Sequence, residues 1–137
     1  MGLYIKCKKT GTTYYLGYGG MLKLRIKVAE LFDKKLGYLY KDALCKIGDK
    51  RKEALSAISL YANQHKPVSL KVWNFLFLPD TGAEITYGCC KEIYDGINGK
   101  CDDFVIGYAA QDNPFTWNQF VELLKECYEN KSKLIWR

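Results

Sequence analysis

The sequence is poor in the residues from which most enzyme active sites are built. Its 137 residues include one histidine, His65. A Ser-His or Cys-His arrangement therefore has a single possible base, and that base stands in the helix-ending stretch NQHKP with no catalytic signature around it. No Gly-Lys-Ser/Thr of a Walker loop follows the glycine-rich stretch near the N-terminus. We therefore expect a binding protein rather than an enzyme.

Cysteine occurs six times, in a pattern that argues against both a zinc site and a disulfide framework. There is no Cys-x-x-Cys, and the adjacent Cys89 and Cys90 would point about 100° apart on a helix. Cys127 falls on the apolar face of a predicted helix. We predict six reduced thiols, no metal and no cofactor. A redox role of the Cys89-Cys90 pair is left open.

Long apolar runs are also missing, since no window reaches about 18 apolar residues. Met1 leads directly into GLYIKCKKTG without the apolar run of a signal peptide, so we expect a cytoplasmic protein. Hydrophobic residues make up 48% and charged residues 26%, which is ordinary for a globular protein, and the length predicts a single domain over residues 1–137. The net charge of +6 favours an anionic partner.

The first half of the chain predicts a β-hairpin and two helices. LYIKC and TTYYLGY flank a Lys-Lys-Thr-Gly turn, which is typical of a hairpin. A helix is predicted over about residues 20–36 with Gly37 as its C-cap, although residues 21–28 also alternate in the manner of a strand. A second helix is predicted to begin at a capping Asp49 and to end at NQHKP.

The second half predicts the order strand, helix, strand, helix, strand. VSLKVWNFLFL, residues 68–78, is apolar at nearly every position and is predicted to be a central strand covered on both faces. We expect a helix at 86–97, a second buried strand at 102–110, and a last helix after a capping box at Thr116. KLIWR would form a final short strand. The alternation predicts an α+β fold with crossover units, in which a single mixed sheet packs with helices.

The best candidate for a binding site is the stretch YLGYGGMLKLR. Glycines directly before a helix would leave backbone N–H groups free to bind a phosphate, and basic side chains follow. The predicted ligand-binding residues are Tyr15, Tyr18, Gly19, Gly20, Lys23 and Arg25. A flexible strand-to-helix turn is the alternative, because Leu22 stands where the dinucleotide fingerprint has its third glycine.

Basic residues near the N-terminus make nucleic acid a candidate ligand. Lys6, Lys8 and Lys9 are interleaved with tyrosines such as Tyr4 and Tyr15. Lysine neutralises phosphates, and tyrosine offers a surface on which bases can stack. A solvated basic face on a lysine-rich protein would explain the same pattern.

The tetrapeptide Asp80-Thr81-Gly82-Ala83 resembles the catalytic loop of retroviral-type aspartic peptidases, and Val105-Ile106-Gly107 resembles the segment that supports that loop. The resemblance implies a homodimer in which two such Asp side chains share one proton and activate water. That family is nearly all β, whereas the chain that would form its flap has a helical pattern here. Because Pro79 precedes the Asp, we interpret the stretch as a Pro-Asp-x-Gly turn in which Asp80 is structural.

The layout of YLGYGGMLKLRIKVAEL and the ending CYENKSKLIWR, with a Lys-, Tyr- and Ile-rich composition, are similar to uncharacterised small proteins of low-GC Gram-positive bacteria and their phages. The resemblance implies a cytoplasmic location and a phage or mobile-element origin, but no activity. We expect a nucleotide-like ligand or a nucleic-acid backbone as the partner, with self-association left open. A protein–protein inhibitor that acts on a host or defence protein is the alternative.

Overall fold

The computed structural model describes residues 3–79, 82–107 and 112–137, which form six helices and a four-stranded antiparallel sheet. The α+β class is therefore confirmed. Among these residues, no helix combines the length and the hydropathy that crossing a membrane requires. In chain order the elements are β1 (Tyr4–Cys7), β2 (Thr13–Tyr15), α1 (Tyr18–Phe32), α2 (Lys34–Leu44), α3 (Gly48–His65), α4 (Leu70–Phe77), β3 (Ala83–Ile85), α5 (Tyr87–Ile97), α6 (Trp117–Glu129) and β4 (Leu134–Trp136).

The sheet joins the two ends of the chain. Its strand order is β2-β1-β4-β3, and every neighbouring pair is antiparallel. Ile5 of β1 lies opposite Trp136 of β4, and Ile85 of β3 lies opposite Leu134. The prediction of a mixed sheet built from crossover units is therefore wrong. It failed because residues 68–78, which were expected to supply an internal strand, are mostly helical, and because the described part of residues 102–110 does not join the sheet.

The first of these segments, residues 68–78, is mostly helix α4 and not a central strand. The Ser69 side chain caps the helix by accepting a hydrogen bond from the Val72 N–H, at 3.3 Å. Val72, Phe75 and Leu76 are buried, which is the i, i+3, i+4 spacing of one helical face. Apolar side chains also stand on the exposed side of α4, where Leu70 is 73% and Phe77 40% exposed, so the apolar run shows no clear period and does not distinguish a strand from a short helix.

The second segment, residues 102–110, also lies outside the sheet in its described part. Val105 forms an isolated antiparallel bridge with Thr116. Residues 108–111 fall outside the part of the chain that the structure describes. In residues 102–107, the described part of the predicted strand, this bridge beside the start of α6 is the only β contact.

The helix that was predicted over residues 20–36 is two helices. Asp33 separates them: its backbone is extended, and its carboxylate accepts a backbone N–H of the first turn of α2 at 2.9 Å. Gly37 therefore lies inside α2 and is not a C-cap. A Cβ on Gly37 would lie 2.5 Å from the Cα of Glu30, so this glycine permits the close approach of α1 and α2.

The remaining local predictions are confirmed, with one correction. The hairpin, the second helix, the helix at 86–97, the last helix and the short C-terminal strand are all present. Thr116 and Gln119 form the predicted capping box in both directions. Asp49, however, does not cap α3. The N-cap is Ile47, and Asp49 lies in the first turn, where a negative charge is favourable beside the positive end of the helix dipole.

The core lies between one face of the sheet and the helices. Ile5 and Cys7 of β1, with Leu134 and Trp136 of β4, are fully buried on this face. Successive side chains of a strand point to opposite faces, so the residues between them lie on the other side of the sheet. That second face is open to solvent, and Tyr4 retains 48% of its surface there.

Candidate anion-binding site

The start of helix α1 borders a surface hollow of about 510 Å³. Three segments line the hollow: the end of β2 with the turn that follows it, the first turns of α1, and residues 106–107. The lining includes five of the six predicted ligand-binding residues, namely Tyr15, Tyr18, Gly19, Gly20 and Lys23. Residues that the sequence separates by up to 92 positions therefore meet at one place.

The first turn of α1 is open towards this hollow. Its N-cap is Gly17, with φ 75° and ψ 162°, a backbone conformation that favours glycine. The cap makes no side-chain hydrogen bond, and no acidic residue stands in the first turn. The first N–H groups of a helix have no intrahelical partner, and they lie at the positive end of the helix dipole. The hollow therefore has the backbone donors that an anion requires.

Lys23 supplies a positive charge at the edge of the hollow. Its side chain is exposed, and its Nζ donates to the Val105 carbonyl oxygen at 3.4 Å. The contact is long and engages one of the three donors of the ammonium group. The lysine is thus held near residues 105–107 and retains donors for a ligand.

Two tyrosine rings border the same end of α1. Tyr18 is 43% exposed. The Tyr15 hydroxyl oxygen would lie 3.8 Å from a Cβ built on Gly17, so the ring runs along the N-cap. Tyr15 also contacts Tyr4 edge to face, with ring centroids 5.2 Å apart. The rings provide both hydroxyl groups and flat apolar surface beside the backbone donors.

Arg25, the sixth predicted residue, lies elsewhere. It is 5% exposed, and its guanidinium carbon is 5.8 Å from the centroid of Phe75 and 5.7 Å from that of Trp136. Two positions along a helix rotate a side chain by about 200°, so Arg25 and Lys23 point to opposite sides of α1. They would share a face only in a strand, which was the competing interpretation of residues 21–28.

Residues 106–107 form a wall of the hollow that was not among the predicted ligand-binding residues. A Cβ on Gly107 would lie 3.1 Å from the Tyr15 carbonyl oxygen, so this glycine lets two backbone segments approach closely. A Cβ on Gly20 would likewise lie 3.1 Å from the Ile106 carbonyl oxygen. Gly20 therefore also allows α1 to pack closely against the backbone at Ile106. The available signal was the isolated glycine after two apolar residues, which is typical of close backbone approach.

The stretch that resembles a peptidase loop is only partly described. Asp80 and Thr81 lie outside the described residues, so the predicted structural role of Asp80 stays a prediction. On one side, the Pro79 carbonyl oxygen accepts a hydrogen bond from the Trp136 indole at 3.0 Å. On the other, Gly82 has φ 69°, which suits a turn. Helix α5 occupies the chain from which a peptidase of that type would form its flap.

The thiols and the histidine lie apart from the hollow. All six cysteines are free, and Cys89, Cys90 and Cys127 are buried. Burial raises the pKa of Cys89 to about 12, so its thiol stays protonated at neutral pH. The ring of His65 stacks on Tyr61 at 4.4 Å. Among the described residues, no group of three or more His, Cys, Asp or Glu side chains could hold a metal ion.

Comparisons of this chain with protein-family models, with curated proteins and with solved structures gave no match. Its function is therefore inferred from the geometry of the hollow and from the chemistry of the residues around it. Those residues are hydrogen-bond donors, one cation and aromatic rings. They are suited to hold an anion that carries a planar or apolar group.

Proposed function

We propose that this protein is a non-enzymatic binding protein that holds a phosphate-bearing anion, a nucleotide-like molecule or a nucleic-acid backbone, at the N-terminal end of α1. The supporting observation is an uncapped first turn that faces a hollow lined by Lys23 and two tyrosines. A helix N-terminus of this kind binds phosphate through backbone N–H groups and the helix dipole together.

Different parts of the hollow would contact different groups of the ligand. Phosphate oxygens would accept hydrogen bonds from the first-turn N–H groups, and the ammonium of Lys23 would neutralise a second negative charge. A base or sugar would lie against the rings of Tyr15 and Tyr18. The volume of about 510 Å³ lies in the range of small-molecule sites.

Binding without catalysis is supported by the kinds of residue present. The described lining of the hollow contains no carboxylate, histidine or cysteine, the side chains that most often serve as general base or nucleophile; its lysine and two tyrosines serve the ligand as hydrogen-bond donors in this proposal. We further propose a cytoplasmic protein of phage or mobile-element origin; this proposal rests on the resemblance carried by the stretch YLGYGGMLKLRIKVAEL, the ending CYENKSKLIWR and the Lys-, Tyr- and Ile-rich composition. Binding of a metabolite without turnover would be a natural role for a protein of that kind.

Replacing Gly19 by Asp is expected to weaken pyrophosphate and ATP binding by about 10-fold or more. A Cβ on Gly19 meets no atom within 4 Å, so the new side chain fits. Its carboxylate would take the place of the phosphate charge at the first turn, and it would stabilise the helix by about 0.3–1 kcal/mol. Isothermal titration calorimetry with pyrophosphate, together with urea unfolding, tests both effects.

Gly19→Asn is the matched control, because its side chain has nearly the same shape but no charge. It should retain most of the affinity, whereas Lys23→Gln should lose about 5-fold. Equal losses in the Asp and Asn variants would indicate a steric effect and contradict the proposal. So would the absence of pyrophosphate binding by the unmodified protein. Release of a hydrolysis product from ATP would overturn its non-enzymatic part.

Exposed apolar side chains favour one second candidate, a protein–protein inhibitor. Tyr38, Leu60 and Leu70, on α2, α3 and α4, are 69%, 59% and 73% exposed. Contacts of this kind depend weakly on salt, whereas binding to a phosphate backbone weakens steeply and linearly on a log–log plot. Tight binding to one acidic host protein that persists at high salt would support this candidate over the anion site.

A further inference from the structure

The open face of the sheet arranges its side chains in rows across the strands. Tyr4 lies opposite Tyr15 on one side, and on the other it exchanges two backbone hydrogen bonds with Arg137, at 2.9 and 3.0 Å. In the next row Lys6 lies opposite both Thr13 and Ile135. The first row thus consists of two aromatic rings and a guanidinium group, and the second places the cation Lys6 between Thr13 and Ile135.

The tyrosines of the first row present ring surface to solvent. Tyr4 is 48% exposed, and it meets Tyr15 at an interplanar angle of 66°. In such an edge-to-face pair, the ring that supplies its edge keeps both of its faces clear of the other ring. The contact also orients the rings before any ligand arrives. Exposed aromatic rings on an antiparallel sheet are a common surface on which unpaired bases stack.

Positive charge surrounds these rings. Lys6, Lys8 and Arg137 line a second hollow of about 370 Å³ on the same face, together with Glu84. The Glu84 carboxylate pairs with the Lys133 ammonium at 3.1 Å, so its negative charge is already engaged. Three basic side chains therefore remain for an anionic partner. Arg137, directly after β4, lies opposite Tyr4, and Lys6 and Lys8 lie two and four residues along the chain, about 7 and 14 Å away.

We propose that this open face binds a single strand of nucleic acid, with a base stacked on Tyr4 and with phosphates neutralised by Lys6, Lys8 and Arg137. Rings alone would suit an apolar partner, and cations alone would suit any polyanion. Their combination on one flat face suits a chain in which bases and phosphates alternate. A duplex keeps the faces of its bases stacked on one another, so it cannot use the tyrosines.

This surface is separate from the hollow at α1, although Tyr15 borders both. The inference goes beyond the proposed function, because it requires no phosphate at the first turn of α1. The two can therefore fail independently.

The test is the binding of a fluorescein-labelled oligothymidylate of about 12 nucleotides, measured by fluorescence anisotropy. The affinity should fall with salt at a log–log slope of about −2, for three phosphates at about −0.7 each. Tyr4→Ala should weaken binding by about 5- to 100-fold, whereas Tyr4→Phe, which keeps the ring, should not. Lys6→Gln should reduce the slope by about 0.7.

Tyr38→Ala removes an exposed ring from α2 and serves as the control; it should leave the affinity unchanged. Circular dichroism would verify that each variant folds. If Tyr4→Ala does not fold, the salt dependence of the Lys6→Gln variant still tests the proposed phosphate contact, and Tyr4→Phe should still bind. Tyr4→Ala should also leave pyrophosphate binding intact, and Gly19→Asp should leave most of the oligothymidylate binding.

Failure to bind the oligothymidylate would overturn the inference, even if pyrophosphate binds. Equal affinity for a duplex of the same length, with no effect of Tyr4→Ala, would also overturn it, because such binding would be electrostatic only. Oligothymidylate binding that depends on Tyr4, in a protein that does not bind pyrophosphate, would support this inference and contradict the proposed anion site.

Discussion

Replacing Trp136 by Ala is expected to lower the free energy of unfolding by about 3–5 kcal/mol. The indole is fully buried at the centre of the sheet. It packs edge to face on Phe75 at 5.8 Å, lies 5.7 Å from the Arg25 guanidinium carbon, and donates to the Pro79 carbonyl oxygen at 3.0 Å. Alanine would leave a cavity and remove all three contacts. Unfolding in guanidinium chloride, followed by circular dichroism, measures the loss.

Two further variants show how much of this loss comes from the hydrogen bond and how much from the burial of the indole. Trp136→Phe keeps much of the apolar volume and loses the hydrogen bond, so it should cost about 1–2 kcal/mol. Trp73→Ala removes a half-buried indole from α4 and should cost less than Trp136→Ala. A loss below about 1 kcal/mol in Trp136→Ala would contradict the central position of this side chain in the core.

Replacing Gly37 by Ala is expected to destabilise the protein by about 1–3 kcal/mol or more. The expected sign is unusual, because alanine inside a helix normally stabilises by about 0.5–1 kcal/mol relative to glycine. Here the new Cβ would lie 2.5 Å from the Cα and 2.8 Å from the backbone nitrogen of Glu30. Backbone atoms cannot rotate away, so α1 and α2 would have to separate. Urea unfolding of the variant measures the change.

The chain offers two matched controls for this substitution. Gly19→Ala places a Cβ where no atom lies within 4 Å, so it should be neutral or stabilising. Gly96→Ala would meet the ring of Phe32, a side chain that can rotate, and its cost should fall between the other two. If all three substitutions had the same effect, the close approach of the two helices at Gly37 would be disproved.

Local features of the fold were predictable because the residues that form them are neighbours in sequence. The capping box of α6 needs only Thr116 and Gln119, three positions apart. The hairpin needs only two short runs and the turn between them. The glycine-rich start of α1 was likewise recognisable as a candidate anion site, because free N–H groups follow from the local backbone alone. Five of the six predicted residues do line one hollow.

Within the candidate site, Arg25 is the residue whose position could not be predicted from its neighbours in the sequence. Its charge and its position two residues after Lys23 predicted that both side chains would reach the ligand. The direction of a side chain, however, depends on whether its segment is a helix or a strand. Residues 21–28 fit both the helical and the strand period in sequence. Only the packing of α1 against the core assigns Arg25 to the buried side, beside Phe75 and Trp136.

By itself the sequence determined the hairpin, the termini of several helices, the glycine-rich turn and the excess of positive charge, since each depends on residues close together in the chain. The tertiary structure alone decided that residues 68–78 are mostly helical, because apolar side chains such as Leu70 and Phe77 also stand on the exposed side of α4 and hide the helical period in the sequence. It alone decided that β1 pairs with β4, because strands at opposite ends of the chain carry no local signal of their pairing. That pairing creates the open face on which Tyr4, Lys6 and Arg137 meet.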